Sequence, residues 1–191
     1  MSYSPNNPNG QATMANSAPV VLSSDQSTVP VSIASTVPVS IASTVTVITT
    51  TITHQAAAYA SGRLIGGKLT FANAVATAGG SGIITDIVLS DKDSQNIDVQ
   101  LVLFESDPTN TTFTENAALD IHDTDLLNVA NIIGNSSGNY ASFADNSVAR
   151  TGGIRYPFKL DSGTTLYGCL VCRGTPTYTT TTSLQLKIYI E

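Results

Sequence analysis

The sequence predicts an all-β protein, an extended N-terminal arm followed by a β-sandwich of jelly-roll type, and three observations carry that prediction. Only 12% of the 191 residues are charged, and the difference is made up by Thr, Ser, Asn and Gly without a single Trp, a mixture that suits strands and turns and gives helices little support. An eight-residue unit, Ser-Thr-Val-Pro-Val-Ser-Ile-Ala, stands at Ser27, repeats unchanged from Ser35, and begins a third time at Ser43 before running into threonines. Beyond it, short apolar-alternating runs are separated by Gly/Asn/Ser/Asp clusters at the spacing of a two-sheet sandwich. We therefore divide the chain into an arm, residues 1–53, and a sandwich domain, residues 54–191.

The arm reads by parity. Val29, Val31, Ile33, Val37, Val39, Ile41, Val45 and Val47 all hold odd positions, against Thr, Pro, Ser and Ala at the even ones. Eight is even, so each copy of the unit turns its aliphatic side the same way along an extended chain. Period two, β-branched side chains and Pro30 and Pro38 exclude a helix. The prolines also lack an N–H and so favour an edge strand or a bend in each unit. A lone ribbon cannot cover its own Val and Ile side chains, and ordering it costs backbone entropy that only burial offsets. The arm therefore calls for other polypeptides: copies of itself about a threefold axis, or another protein to which it adds a strand. The residues from Ser27 to Thr50, extended at about 3.3 Å each, reach roughly 80 Å. We take these eight aliphatic residues as the partner-binding set.

In the second part, strands are expected over 62–72, 82–90, 97–105, 127–133, 147–152, 154–160, 165–173 and 183–190. The last is the clearest, with Leu184, Leu186, Ile188 and Ile190 alternating with Ser183, Gln185, Lys187 and Tyr189. Val99, Leu101 and Leu103 alternate in the same way. Turn clusters fall at 78–82, 106–110, 134–139 and 161–163. The stretch NAALDIHDTDLLN, residues 116–128, predicts a short helix with Asp120 or Asp123 near its start.

Net charge is −6 with eight basic residues and no basic cluster, so nucleic acid is not an expected partner. No apolar run of the length needed to span a bilayer is present. The first residues, MSYSPNNPNGQATMANS, lack the basic start and apolar core of a secretory signal, so synthesis and assembly in a cytoplasm are expected. Asn110-Thr-Thr and Asn135-Ser-Ser are then not glycosylation acceptors.

Residues able to carry chemistry do not assemble into a motif. Cys169 and Cys172 form a C-x-x-C, but inside the strand-like run Leu166–Arg173 they point to opposite faces and read as core fillers. Asp91, Asp93 and Asp98 suggest a calcium loop, yet counting from Asp91 places Asn96 sixth and Val102 twelfth, where Gly and Glu are required. His122 stands among Asp120, Asp123 and Asp125, but neighbours in sequence point apart and the only other histidine, His54, lies at the arm junction. Gly79-Gly-Ser-Gly-Ile83 lacks the lysine of a phosphate loop, and no Gly-x-Ser-x-Gly elbow occurs. Neither catalytic residues nor a cofactor or metal are expected. Tyr140, Phe143, Tyr156, Tyr167 and Tyr178 are candidates for a sugar-stacking surface, with core or inter-subunit packing the more economical use.

The segment GQATMANSAPVVLSSDQSTVPV, residues 10–31, resembles N-terminal regions of tailed-bacteriophage virion proteins, in which a similar stretch precedes an exposed β domain. GGKLTFANAV, GGSGI, FKLDSGTTLYG and RGTPTY are similar to the C-terminal parts of such proteins. The resemblance implies a virion component of the capsid decoration (cement) or fibre type and carries over no catalytic residue. The partners it implies are a major capsid protein or a neck or tail protein, together with copies of the chain itself. A host glycan is the partner expected of a fibre.

Overall fold

The computed structural model describes residues 44–191. Among these residues nine strands make two antiparallel sheets, with β1 Thr46–Ile52, β2 Leu64–Phe71, β3 Ser81–Asp91, β4 Val99–Phe104, β5 Val129–Asn135, β6 Tyr140–Ser142, β7 Ser147–Lys159, β8 Leu166–Cys172 and β9 Leu184–Ile190. One short helix, α1 Asp123–Leu126, interrupts the β4–β5 connection. The first sheet has the order β1-β9-β3-β7-β6 and the second β2-β8-β4-β5.

The pairs β1 with β9, β2 with β8, β3 with β7 and β4 with β5 nest inside one another. They are the pairs of one long hairpin wrapped around a barrel-like core, and β9 against β3 and β8 against β4 close the two sheets. That is the jelly-roll connectivity expected from the spacing of the strands. The inner faces bury Ile52, Ile65, Phe71, Ile84, Leu89, Leu101, Leu103, Ile133, Leu186 and Ile188 in a single core.

Strand β9 follows the alternation read from its sequence, burying Leu184, Leu186, Ile188 and Ile190 and leaving Gln185, Lys187 and Tyr189 half-buried. Strands β4 and β8 differ, because both of their faces are covered. Leu64, Val102, Phe104, Cys169 and Val171 form a second cluster on the outer face of the second sheet, beneath Phe113, Leu119 and Ile121 of the long β4–β5 connection.

Three boundaries differ from the sequence reading. Strand β1 lies on the arm side of the division at residue 53, yet it pairs with β9 from Thr46↔Ile190 to Ile52↔Leu184. The stretches expected as two strands over 147–152 and 154–160 are one strand, β7, which stays paired with β3 across a register shift between Ile84 and Asp86. Gly153 at φ +69° absorbs part of that bend. The three-residue β6 was not expected at all.

Gly66 explains how β2 folds under β1. It has φ +74°, and a Cβ there would stand 2.6 Å from Ile52 Cγ2. The ladder between β2 and β8 shifts at this point, between Ile65 and Leu69. A left-handed backbone and a missing side chain are both needed, and only glycine supplies both.

Candidate functional site

The repeat enters the described fold at β1, which among the described residues is an edge strand paired with β9 alone. Ile48 and Ile52 turn inward, Ile52 fully buried and Ile48 packed on the core. Alternation then sends Val45 and Val47 outward, where each is 49% exposed. These are the last two of the eight aliphatic residues expected to bind a partner, and the fold brings them onto one outer face. Val29, Val31, Ile33, Val37, Val39 and Ile41 lie outside the described residues. The core-facing role of the even positions was legible in one signal only, the change from Val at odd positions to Ile at 48 and 52.

Just past β1, His54 fixes the strand end. The imidazole is buried, and its Nε2 accepts the Ser183 N–H at 3.1 Å. Nδ1 therefore carries the proton and donates to the Gln55 carbonyl at 3.0 Å. The ring lies 4.6 Å from that of Tyr178. The end of the first described strand is thereby pinned to the residue just before the last one.

The carboxylates considered for calcium serve turns instead. Asp91 is buried and accepts the N–H groups of Asp93 at 2.9 Å and Gln95 at 2.8 Å. Burial pushes its carboxyl up, against those hydrogen bonds. Asp93 accepts the Thr179 N–H at 2.8 Å, the Thr179 hydroxyl at 3.1 Å and the Ser183 hydroxyl at 2.8 Å. Its partial desolvation is outweighed by these bonds, which hold it below the usual carboxylate range. Asp98 accepts from Ser137 N at 2.5 Å and is held low by that contact. Among the described residues no group of three or more His, Cys, Asp or Glu side chains is placed to hold a metal ion.

His122 is the N-cap of α1, its Nδ1 accepting the Thr124 N–H at 3.2 Å. Asp125, three residues on, is buried and accepts from Asn110 N at 2.9 Å, Asn110 Nδ2 at 3.0 Å and the Thr111 hydroxyl at 2.7 Å. Cys169 and Cys172 are free and buried, Cys169 in the outer cluster and Cys172 in the main core. Burial raises both thiols, Cys169 to about 12.

The aromatic candidates are scattered. Tyr178 is buried in the core and Tyr140 packs against it, while Tyr167 packs on the outer cluster. Phe143, 60% exposed, follows β6, whereas Tyr156 pairs with Ile84 near the far end of β7. A polar depression of about 430 Å³ between Asp98, Gln100, Asn135, Asn139 and Arg173 has no aromatic side chain in its lining.

A second apolar surface was not anticipated. On the outer face of the second sheet, a groove of about 490 Å³ runs between Val102, Leu119, Ile121, Leu126, Ile132 and Val171. Leu126 and Ile132 are 54% and 53% exposed, and the adjoining Leu127 is 86% exposed. No helix among the described residues is long and apolar enough to cross a membrane. No protein-family model, curated protein or solved structure matches the chain.

Proposed function

We propose that this chain is a non-enzymatic structural component of a tailed-phage virion, a capsid decoration or cement protein. Its N-terminal arm binds shell subunits and neighbouring copies, and its sandwich faces outward. The observation that carries this reading is the exposed pair Val45 and Val47. Where the aliphatic side of the repeat can be followed, the domain's own core does not use it. That core is filled by Ile48 and Ile52 from the opposite face of the same strand. An aliphatic strip of the length the repeat supplies calls for another polypeptide to exclude water from it. The resemblance of residues 10–31 to phage virion proteins names the setting.

Mechanistically, strand addition and Val/Ile burial at many equivalent sites tie adjacent shell subunits together and resist the outward pressure of packaged DNA, with no contact to the DNA itself. The rival reading is a head or tail fibre that recognises a host glycan. It is favoured by the polar depression around Asp98, Gln100 and Arg173 and weakened by the absence of a stacking ring there.

Copy number separates the two. Quantitative mass spectrometry of purified particles is expected to find the chain at a stoichiometry comparable with the shell protein. A few copies per particle would defeat the cement reading in favour of the fibre.

A further inference from the structure

We infer that the groove between Leu126 and Ile132 is the receptor for the aliphatic face of a second copy of this chain, so that copies associate head to tail. Seven large hydrophobic side chains are exposed among the described residues, and five of them fall in two places: Val45 just before β1 with Val47 on it, and Leu126, Leu127 and Ile132 beside the groove. Among the described residues neither surface is covered, and each is chemically suited to cover the other. The strip that continues Val47 towards the N-terminus carries no charge from Gln26 onward. The groove has one charged lining residue, Arg173, and its Nε already donates to Gln100 Oε1 at 2.9 Å. The strip therefore brings no charge to the groove, and Arg173 is itself exposed, so its guanidinium keeps its contact with water.

Val47 cannot reach the groove of its own molecule. Val47 stands on the outer face of the first sheet, on a strand whose inward side chains fill the core. The groove stands on the outer face of the second sheet, next to β5, the last strand of that sheet. Packed sheets lie about 10 Å apart, with outward side chains adding a layer on each side. A contact between Val47 and a groove must come from another copy, and because the two patches differ, the interface is heterologous. Such contacts close into a ring when the rotation allows and otherwise run on as an open chain.

The inference rests on the reading that the aliphatic face is covered by protein, and not on the placement in a virion. The test uses the full chain in solution, by sedimentation velocity over a concentration series. The wild type is expected to self-associate. Val47→Asp and Ile132→Asp, both at positions about half exposed and so compatible with folding, are each expected to weaken association by at least about tenfold. Thermal unfolding confirms that each variant is folded.

An equimolar mixture of the two variants is expected to recover a dimer, because the first still offers an intact groove and the second an intact aliphatic face. Val47→Cys mixed with Ile132→Cys should likewise give a disulfide-linked pair on oxidation, the native thiols being buried. A monomeric wild type, variants that associate like wild type, or mixtures that recover neither dimer nor cross-link would overturn the inference. A chain that is monomeric in solution yet abundant on particles would overturn it while leaving the virion reading intact.

Discussion

His54 Nε2 accepts the backbone N–H of Ser183 at 3.1 Å, joining a residue two places past the first described strand to the one that precedes the last. Both groups are buried, so the bond has no water to replace it. His54→Phe keeps a ring against Tyr178 but leaves the amide without an acceptor, and we expect a loss of about 1–3 kcal/mol. His54→Ala also removes the ring contact and leaves a cavity, and its loss should exceed that of His54→Phe by at least about 1 kcal/mol. Urea unfolding of both variants measures the difference; equal losses would show that the hydrogen bond, and not the ring, carries the whole effect.

Gly66→Ala is expected to cost more than an ordinary surface substitution. The residue sits at φ +74° with Ile52 Cγ2 2.6 Å from the site of a Cβ. Left-handed backbone costs a non-glycine residue about 1 kcal/mol, and overpacking adds about 1–3 kcal/mol. Gly62 provides the control, since it too has positive φ, at +90°, but nothing stands within 4 Å of its Cβ position. Gly62→Ala should show the backbone part alone, and chemical denaturation of the pair separates strain from collision.

How much of this fold is legible in the sequence depends on how many faces of each strand are covered. Strand β9 has one inner and one half-exposed face, and its alternation gives it away. In β4 and β8 the residues Val102, Phe104, Cys169 and Val171 serve a second cluster, so the apolar run is nearly continuous and its inward side is ambiguous. Strand β1 is hidden by composition, because TVITTTI continues the Thr/Val chemistry of the repeat while the visible change comes only at His54. Gly152 and Gly153 read as a break between two strands, whereas β7 bends there and continues. The groove is the least legible feature. Leu126 and Ile132 look like core residues until the β4–β5 connection is seen to fold over the outside of the sheet.

Acid should unfold the sandwich through its turn carboxylates. Asp93, Asp98 and Asp125 are held below the usual carboxylate range, Asp98 by hydrogen bonds from Ser137, Asp93 and Asp125 by hydrogen bonds that outweigh their desolvation. A native pKa below that of the unfolded chain gives stability that is fully present above the unfolded value and is lost as pH falls through the native one. Asp91 acts in the opposite sense, since burial raises its native value. It therefore adds stability as pH falls from neutral, present in full once the pH is below its unfolded value. Melting temperature should be flat or rise slightly from about pH 7 to about pH 5 and drop below about pH 4. Asp93→Asn should make the acid drop shallower, and an unchanged slope would remove Asp93 from the account.

The C-x-x-C pair should be chemically silent in the folded chain. Cys169 and Cys172 sit in different clusters on opposite faces of β8, with burial raising both thiols. Thiolate is the reactive form, and neither residue presents it to solvent at neutral pH. A thiol-specific reagent is expected to label neither cysteine under native conditions and both in denaturant. Rapid labelling of the folded protein would require β8 to open locally.

The arm can be tested apart from the fold. Val31 and Val39 lie in the repeat, outside the described residues, and Val47 is 49% exposed on β1, so acidic replacements at the three leave the core composition untouched. If the aliphatic face is covered by another polypeptide, burying three carboxylates there is prohibitive unless they protonate, and the contact is lost. The variant Val31→Asp, Val39→Asp, Val47→Asp should therefore keep the melting temperature of the sandwich within a few degrees of wild type, as about 1 kcal/mol or less of stability change implies for a domain of this size. It should at the same time fail to oligomerise or to join particles in an assembly assay. Normal assembly with all three carboxylates in place would mean that the ribbon serves as a spacer, and the cement role would fall with it.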